Sequence, residues 1–484
     1  MKSKYIKGIS IEQKYKTANK VLSAVGLFVL VIAVGVFVVY NPAFIRHNFV
    51  VIITFFINIT LFISQLIAST SERSFSFRAM FWIFNLFFFG LAPFYQYVSG
   101  SSVWGIKSSD NDFLISNVYI LFWSALYICG YKLHFNNQKN KMKIRKPSLI
   151  LDKEAPQYEY QIRRNALNVM LLFSVLIVFY YLTVVGAENM FLRSTSGNEV
   201  IADSTPLKLL ELHVLKNTVV FTTALHIADA KQRKFVSAQL IIAIACLLIC
   251  CFPTSLSRYN MAAIYTGIMI ISFNKTRKGR WFMVLFVLAL VVIFPAIDIF
   301  RNLDTLREAT DFGATIRKEI KGIYTTGDYD TYSMFINVRR YVNFFGHSFG
   351  NQLLGALLFF VPRSFWASKA VGTGHTVFLA LHPEFTNVSA PLISEGYMDF
   401  GVVGIVVYGI LTGAITQLLD KRYWTSSSPL SKERIIYPFL IFQFFFLLRG
   451  DMMSGGAYLI AKYVMGTLIY LAVVKKTPKV NKLK

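Results

Sequence analysis

Charged residues are scarce in this chain of 484 residues. Asp, Glu, Lys and Arg together make up 15% of it, whereas 55% of the residues are hydrophobic. A soluble domain carries roughly 25% charged residues, and so few charges cannot cover the surface of such an apolar chain. The composition excludes a disordered chain and argues strongly against a soluble globular protein.

Cysteine is also rare. The four cysteines lie within apolar runs, at Cys129, Cys246, Cys250 and Cys251. We interpret them as packing residues, because no His or carboxylate accompanies them at metal-ligand spacing, and a disulfide scaffold is excluded. The nearest approach to a metal-binding acidic pair is Asp328-Tyr329-Asp330, whose Thr and Gly neighbours favour a turn instead. Neither a metal nor a cofactor is predicted.

Apolar runs of about a membrane span's length are abundant. A helix needs about 20 apolar residues to cross the hydrocarbon core. Twelve runs approach or reach that length: 21–40, 48–68, 78–98, 113–131, 165–186, 209–229, 236–252, 258–273, 281–299, 398–419, 435–449 and 456–474. The predicted fold class is all-α, a polytopic transmembrane helical bundle of about 12 spans. Residues 1–299 would hold spans one to nine, 300–397 a large extracytoplasmic loop, and 398–484 the last three spans and a basic tail.

Basic residues are distributed unevenly between the two sides of these spans. Twelve spans place both termini on one side, and the segments of that side hold 33 of the 50 basic residues but 7 of the 25 acidic ones. The positive-inside rule makes this side cytoplasmic. Topology and contact with lipid headgroups therefore explain the charge, and nucleic acid is not predicted as a partner.

One connection is much longer than the others. Residues 300–397 are rich in aromatic residues and punctuated by Gly and Pro, so we expect an ordered and functional loop. The stretches 303–324 and 334–345 have the periodicity of amphipathic helices. Residues 352–362 are too short to span and end at a proline, which predicts a re-entrant or buried helix. Two further crossings hidden in the loop would preserve the topology.

Cationic residues are expected at the outer side of the bundle. They are Arg258, Arg301 and Arg449 near the ends of spans, and Arg339, Arg340, Arg363 and Lys369 in the loop. An arginine fork matches phosphate geometry, so a site for a pyrophosphate-linked lipid would need such residues. A transporter lumen for an anionic solute would need similar charges. For each arginine, snorkelling or a structural ion pair is the alternative.

Two motifs lie within residues 350–413. They are Pro-Arg-x-x-Trp-x-x-Lys at 362–369 and Gly-Tyr-x-x-Phe-Gly at 396–401, where a span begins. Weaker echoes are Ser-Arg at 257–258 and Arg-Gly at 449–450. This region resembles the bacterial Wzy-type oligosaccharide repeat-unit polymerases of O-antigen and capsule biosynthesis. Outside it, the resemblance is one of architecture alone.

The resemblance implies a metal-independent membrane glycosyltransferase. Such a transferase polymerises repeat units linked to undecaprenyl pyrophosphate into a surface polysaccharide, at the outer face of the bacterial cytoplasmic (inner) membrane. The chain would be multi-pass with both termini cytoplasmic, and it would meet undecaprenyl-pyrophosphate-linked glycans and membrane lipid. Whether a chain-length regulator is a further partner stays open.

The motifs suggest roles for individual residues. Glu395 is the first candidate for the base that deprotonates the acceptor hydroxyl, and His375 is the second. Arg363 is assigned to catalysis through the leaving diphosphate, and Tyr397 and Trp366 to stacking on sugar rings. The predicted pyrophosphate contacts are Arg258, Arg363, Lys369, Arg449, Arg339, Arg340 and Arg301. Capping of a helix start would explain Glu395 equally well, and an aromatic membrane belt would explain Tyr397 and Trp366.

Two other classes of protein remain open. A flippase for lipid-linked oligosaccharide is expected to show two related halves with matched broken spans, which this sequence lacks. An O-antigen ligase-type glycan transferase shares many spans, a large outer loop and reliance on arginine. Only the two motifs of 362–369 and 396–401 favour the polymerase over the ligase.

Overall fold

The structure is a computed structural model that describes residues 47–105, 107–144, 158–184, 186, 210–273, 323–381 and 388–478. The predicted spans 21–40 and 281–299 lie outside these residues. So do Arg301 and nearly all of the predicted amphipathic helix 303–324.

Helices dominate the described residues. In chain order the elements are α1 Phe49–Glu72, α2 Phe77–Phe84, a π-helical turn Asn85–Leu91, α3 Ala92–Ser99, α4 Asp110–Ile144, β1 Tyr158–Ile162, α5 Arg164–Val184, a π-helical turn Glu211–Leu215, α6 Lys216–Arg233, α7 Ala238–Cys250, α8 Arg258–Ser272, α9 Thr331–Phe345, α10 Asn351–Leu357, α11 Thr373–Leu381, α12 Leu392–Thr425, α13 Lys432–Arg449, α14 Met452–Val473 and β2 Val474–Pro478. Small polar side chains begin several of these helices. Ser76, for example, accepts a hydrogen bond from the backbone of Ala79, and Asp451 from that of Ser454.

Among the described residues, six helical stretches are long and apolar enough to cross a membrane. They are α1, α2 to α3 taken together, α4 as far as Leu133, α5, α12 and α14. The predicted runs at these six places are confirmed as helices, and the chain is an α-helical membrane protein. The predicted runs 209–229, 236–252, 258–273 and 435–449 also form helices, α6, α7, α8 and α13, but these are shorter or more polar. A total of twelve spans stays a prediction.

The chain divides into two compact units. The described residues of unit 1 are 47–105, 107–126, 323–349, 373–381 and 388–409, and those of unit 2 are 127–144, 158–184, 186, 210–273, 350–372 and 410–478. The long loop predicted at 300–397 therefore contributes to both units. Its second predicted amphipathic helix is confirmed as α9.

The core of unit 1 around the loop is built by α9, α11 and the start of α12. Met334 and Val338 of α9 are fully buried against Val377 and Phe378 of α11, and Met398 completes the cluster. These five apolar side chains fix the helices that carry the candidate acid–base residues of this unit. The helical spacing of the α9 residues explains why its amphipathic pattern could be predicted.

Helix α12 is interrupted where the Gly-Tyr-x-x-Phe-Gly motif ends. Gly401 has φ 59° and ψ −136°, a conformation that only glycine adopts readily. A Cβ atom built on Gly404 would lie 1.7 Å from the carbonyl oxygen of Gly396. Eight residues of continuous helix would separate these two by about 12 Å. Residues 392–399 therefore fold back on the helix that follows, so the motif forms a reversal and the membrane-length helix begins after it.

In unit 2, helices α6, α8, α13 and α14 pack side by side. Rings of Tyr259 and Phe446 lie 4.7 Å apart, and Phe439 packs over Gly267, so α8 and α13 are antiparallel. Strands β1 and β2 belong to the same unit and pair antiparallel, with Ile162 opposite Val474. The sequence did not predict this small sheet, whose strands are more than 300 residues apart.

Candidate functional site

Four elements of unit 2 begin or end together. Helix α14 follows α13 after two residues, and α8 begins where α13 ends. His213, in the π-helical turn before α6, has its ring 4.9 Å from that of Tyr458 in α14, while Phe221 packs over Gly466. Helices α6 and α14 are therefore parallel, and both start at this end. We call it the basic end, and it comprises His213, Lys216, Arg258, Arg363, Lys369, Arg449 and Lys462.

Arg258 and Arg449 mark the basic end on two neighbouring helices. Arg258 is the first residue of α8, and Arg449 is the last residue of α13. The guanidinium carbon of Arg449 lies 5.7 Å from the ring centroid of Tyr259, which is within cation–π range. Both arginines are partly exposed. The two weaker echoes of the Wzy motifs therefore meet in space, although almost 200 residues separate them.

The loop that follows α10 brings two more predicted cations to the basic end. Phe359 lies with its ring 5.9 Å from that of His213. A Cβ built on Gly372 would lie 2.3 Å from Oδ2 of Asp451, which caps α14. The segment 359–372 carries Arg363 and Lys369. Because both of its ends contact residues next to the start of α14, the two cations lie near that start.

Arg363 and Lys369 hold their own loop closed. Arg363 donates from Nη1 to the carbonyl oxygen of Lys369 at 2.5 Å and from Nη2 to that of Ala370 at 2.9 Å. Lys369 donates from Nζ to the carbonyl oxygens of Phe359 at 2.7 Å and Val361 at 3.1 Å. The partners of both cations are neutral oxygens, so the bonds shape the loop without cancelling either positive charge.

The two cations of the loop differ in their access to solvent. Arg363 is exposed, whereas Lys369 is 7% exposed. Burial, together with the nearby Arg363 charge, lowers the pKa of Lys369 below its usual value. Lys369 therefore braces the loop, and Arg363 is the cation that a ligand can reach. Trp366 is partly exposed beside it, and its Nε1 donates to Ser368 at 3.2 Å.

Three basic residues of the basic end were missed by the sequence reasoning. His213 and Lys216 are buried at the start of α6, and Lys462 is buried inside α14. His213 and Lys216 lie in the run 209–229, and its unusual polarity was the sequence feature that could have drawn attention to them. In the structure, a π-helical turn at Glu211–Leu215 marks the same place, and such turns are frequent at functional sites. Lys462 gave a weaker signal, because it is a single charge in an otherwise apolar run.

Carboxylates are fewer than cations at this end. Glu211 accepts a hydrogen bond from the Tyr180 hydroxyl at 2.8 Å, and Asp451 caps α14 through the backbone of Ser454. Both acidic side chains are thus held by the helices themselves. Of the described residues of the basic end and these neighbours, six are Lys or Arg and two are acidic. The resulting field is positive and suits an anionic ligand.

The acid–base candidates lie in unit 1. Glu395 is 2% exposed, and its Oε2 accepts a hydrogen bond from the hydroxyl of Thr373 at 2.7 Å. Asp399, one turn further along α12, is fully buried and accepts from Ser348 at 2.6 Å and from Tyr408 at 3.3 Å. The reversal after Asp399 places Tyr408 beside the first turn of α12, so two carboxylates share one packed region.

His375 follows Thr373, the hydrogen-bond partner of Glu395, by two residues. It is the third residue of α11 and is partly buried. Its Nδ1 is buried, and among the residues that the structure describes it has no hydrogen-bond partner. A nitrogen in this state is costly unless a ligand or water satisfies it. His375 therefore remains a candidate for proton transfer next to Glu395.

Tyr397 lies in an aromatic cluster of unit 1. Its ring lies 5.7 Å from that of Tyr119, 6.2 Å from Phe335 and 6.0 Å from His347. The ring is partly exposed. Packing against three aromatic neighbours explains its position.

Arg339 and Arg340 are bound to helix α4. Arg339 is buried and donates to the carbonyl oxygen of Asp112 at 3.1 Å and to Ser116 at 2.8 Å. Arg340 forms an ion pair with the Asp112 carboxylate at 2.7 Å and also donates to the carbonyl oxygen of Lys107 at 3.0 Å. These contacts attach α9 to α4. For Arg340, the ion pair with Asp112 is the structural alternative to a phosphate contact.

The Asp328-Tyr329-Asp330 triplet forms a turn, as its neighbours predicted. Residues Gly327–Tyr329 form a short 3-10 helix. Oδ2 of Asp330 accepts hydrogen bonds from Trp104 at 3.2 Å and from the backbone of Ser389 at 3.1 Å. In the part of the chain that the structure describes, no group of three or more His, Cys, Asp or Glu residues is placed to hold a metal ion.

The structure thus sorts the predicted site residues into two sets. Unit 2 contains Arg258, Arg363, Trp366, Lys369 and Arg449, and unit 1 contains Arg339, Arg340, His375, Glu395 and Tyr397. Comparison of the chain with protein-family models, with curated proteins and with solved structures found no match.

Proposed function

We propose that the protein is a membrane glycosyltransferase that polymerises oligosaccharide repeat units linked to undecaprenyl pyrophosphate. The reaction would take place at the outer face of the bacterial cytoplasmic membrane and yield an O-antigen or capsule. The observation that carries the proposal is the basic end of unit 2. Five separate stretches of the chain meet there, each of them carries a cation, and acidic residues are few among the described residues of this end.

A lipid diphosphate fits the basic end chemically. It carries concentrated negative charge on oxygen atoms, which arginine forks bind bidentately. Arg363 is exposed, and its neutral partners leave its charge effective. Aromatic and apolar side chains surround the cations, so the local dielectric constant is lower and each charge acts more strongly than in water. The lipid tail would remain in the hydrocarbon core beside these helices.

The polymerisation step needs a cation and a base. The acceptor hydroxyl oxygen attacks the anomeric carbon of the donor sugar, and the bond from that carbon to the diphosphate oxygen breaks. The bonding electrons leave with the lipid diphosphate, whose added charge Arg363 and the other cations stabilise. The hydroxyl proton passes to a base, a role that the sequence motifs assign to Glu395 first and to His375 second. No metal is needed for this balance.

The experiment uses purified full-length protein in proteoliposomes with a lipid-linked repeat unit. The proposal predicts glycans of several units that remain attached to the lipid. Transfer of the unit across the bilayer without elongation would indicate a flippase. Transfer of a finished glycan to a different acceptor, with no elongation, would indicate the ligase class. Either result would overturn the proposal.

A matched pair of variants connects the activity to the basic end. Arg363→Ala removes the exposed cation of the loop, and Arg422→Ala removes an arginine near the end of α12 that is outside the basic end. Elongation should be lost in the first variant and kept in the second. Equal elongation in both would contradict the assignment of the diphosphate site.

A further inference from the structure

Strands β1 and β2 mark the end of unit 2 that is opposite the basic end, and we call it the sheet end. Arg163 donates from its backbone to the carbonyl oxygen of Val473 at 2.8 Å and from Nη2 to that of Leu471 at 2.6 Å, so α5 begins where α14 ends. Near the other end of α5, the Tyr180 hydroxyl donates to Glu211 at 2.8 Å. Both helices are about 30 Å long, which is the thickness of the hydrocarbon core, so the two ends suit opposite membrane surfaces.

An open groove lies at the sheet end, between β1, the start of α5 and the end of α6. It has a volume of about 500 Å³. We call it the sheet groove, and its lining residues are Gln161, Ile162, Arg164, Asp229, Gln232 and Arg233. The volume is in the range of small-molecule sites, about 300–1,000 Å³. Five of the six lining side chains are polar or charged, so the groove suits a polar group.

Arg164 presents an uncompensated positive charge to the sheet groove. It is the exposed first residue of α5, and its guanidinium group makes no hydrogen bond or ion pair with any residue that the structure describes. Arg233, in contrast, forms an ion pair with Asp229 at 3.1 Å. The first turn of α5 contains no acidic residue, so the positive end of its helix dipole adds to the charge of Arg164. The groove therefore favours an anion.

The surroundings of the sheet groove are also basic. The segments 158–164, 229–234 and 474–478 together carry seven Lys and Arg residues but two acidic ones. Lys475 is directly opposite Gln161 in the sheet. The positive-inside rule assigns an end of this kind to the cytoplasmic side, where the membrane leaflet contains anionic lipids.

Apolar surface adjoins the sheet groove. Helix α5 runs from the groove toward the basic end, and its exposed side chains at spacings of three and four residues share one face: Val169, Leu172, Phe173 and Leu176. Phe235 and Val236, which follow α6, are also exposed. A molecule with both a phosphate and acyl chains matches this combination of surfaces, whereas a soluble anion would leave the apolar part uncovered.

We propose that the sheet groove binds the headgroup of an anionic phospholipid from the cytoplasmic leaflet. The guanidinium fork of Arg164 binds the phosphate, and the side-chain amides of Gln161 and Gln232 bind hydroxyl groups of the headgroup, since an amide both donates and accepts. A zwitterionic lipid brings an additional cation into a positive groove and binds less well. This site is separate from the basic end, so its failure would leave the proposed function unchanged.

Titration of the purified, delipidated full chain in detergent tests the ligand class, with bound molecules counted by native mass spectrometry. The probes are phosphatidylglycerol, phosphatidylcholine and glycerol 3-phosphate. Phosphatidylglycerol should bind at least tenfold more tightly than either of the others. Equal binding of the two lipids would refute recognition of the anionic headgroup. Glycerol 3-phosphate that bound as tightly as phosphatidylglycerol would show a soluble phosphate as the ligand and overturn the lipid assignment.

A pair of arginine variants tests the position of the site. Arg164→Gln should weaken binding of phosphatidylglycerol at least fivefold. Arg422→Gln is the matched control, because Arg422 is also exposed but lies outside the groove, next to a cavity of only about 30 Å³. It should stay within twofold of the unchanged protein. Equal losses in the two variants would indicate general attraction between lipid and surface charge, and would overturn the proposal.

A pair of glutamine variants tests the groove without removing a cation. Gln232→Glu adds a carboxylate to the groove and should weaken binding of phosphatidylglycerol at least threefold. Gln239→Glu adds the same charge at an exposed position of α7 outside the groove and should stay within twofold. Both glutamines are exposed, so thermal unfolding without added lipid should be unchanged in each variant. Unweakened binding by Gln232→Glu would contradict the assignment of the headgroup to the sheet groove.

Discussion

Two arginines of the same predicted loop have different partners in the two units. Arg340 of unit 1 faces the carboxylate of Asp112 at 2.7 Å, so its positive charge is balanced by an adjacent negative one. Arg363 of unit 2 faces two carbonyl oxygens, which orient the guanidinium without neutralising it. The difference teaches that the partner of a cation, rather than its position in the sequence, decides whether its field is available to a ligand.

The largest expected effect comes from replacing Arg363 with alanine, with Arg340→Ala as the comparison. Arg363→Ala should lower polymer formation by on the order of 1,000-fold, comparable to the loss of a donor that stabilises developing negative charge. Arg340→Ala should keep most of the activity. Polymer length and yield on a gel, from a null strain that expresses each variant at equal level, provide the measurement. If Arg340→Ala lost as much activity as Arg363→Ala, the comparison would be broken.

The carboxylate of unit 1 should affect turnover rather than binding. Glu395→Gln keeps the size of the side chain and its contact with Thr373 but removes the base, so kcat should fall about 100-fold with KM changed less than threefold. Thr373→Val, which leaves the base in place but removes its hydrogen bond, should cost less. Initial rates in proteoliposomes test both variants. An unchanged kcat in Glu395→Gln would transfer the role to His375.

The reversal in α12 predicts opposite effects for two glycines. Gly404→Ala introduces a Cβ that overlaps the Gly396 carbonyl group, so we expect a loss of about 2 kcal/mol or more in the free energy of unfolding. Gly456→Ala in α14 meets nothing closer than 3.9 Å and should be neutral or stabilising by about 0.5–1 kcal/mol. Thermal unfolding in detergent measures the difference. A tolerated Gly404→Ala would argue against the fold-back of residues 392–399.

The smallest effect is expected at the ion pair itself. Asp112→Asn should remove the coupling between residues 112 and 340, and a double-mutant cycle with Arg340→Ala should give an interaction free energy of about 0.5–1 kcal/mol, since both side chains are partly exposed. Chemical denaturation of the four proteins supplies the values. A coupling free energy near zero would mean that the pair contributes no stability, and the contrast with Arg363 would then concern charge alone.

Much of the helical architecture could be predicted because apolar runs and helical periodicity are local properties. Residues 48–68 and 334–345 are examples, and they became α1 and α9. The pairing of Arg340 with Asp112 could not be predicted in the same way, since the two residues are 228 positions apart and many acidic residues were available. The β1–β2 sheet escaped prediction for the same reason.

The candidate site was predicted unevenly. Arg258 and Arg449 were assigned from short motifs, and the structure places both at the basic end. Gly396 and Gly401 were taken as the opening of a span, but the backbone at Gly401 and the contact with Gly404 show a reversal. Periodicity carries no information about such a fold-back, because both helical segments have the same repeat.

The central claim is that a lipid diphosphate lies at the basic end of unit 2. The most direct test uses a polyprenyl diphosphate with a photoreactive group next to its phosphates, followed by mass-spectrometric mapping of the labelled peptides. We predict labelling concentrated at residues 355–372 and 446–462, and competition by farnesyl diphosphate but not by farnesol. Labelling spread evenly over the apolar helices, or confined to unit 1, would contradict the claim.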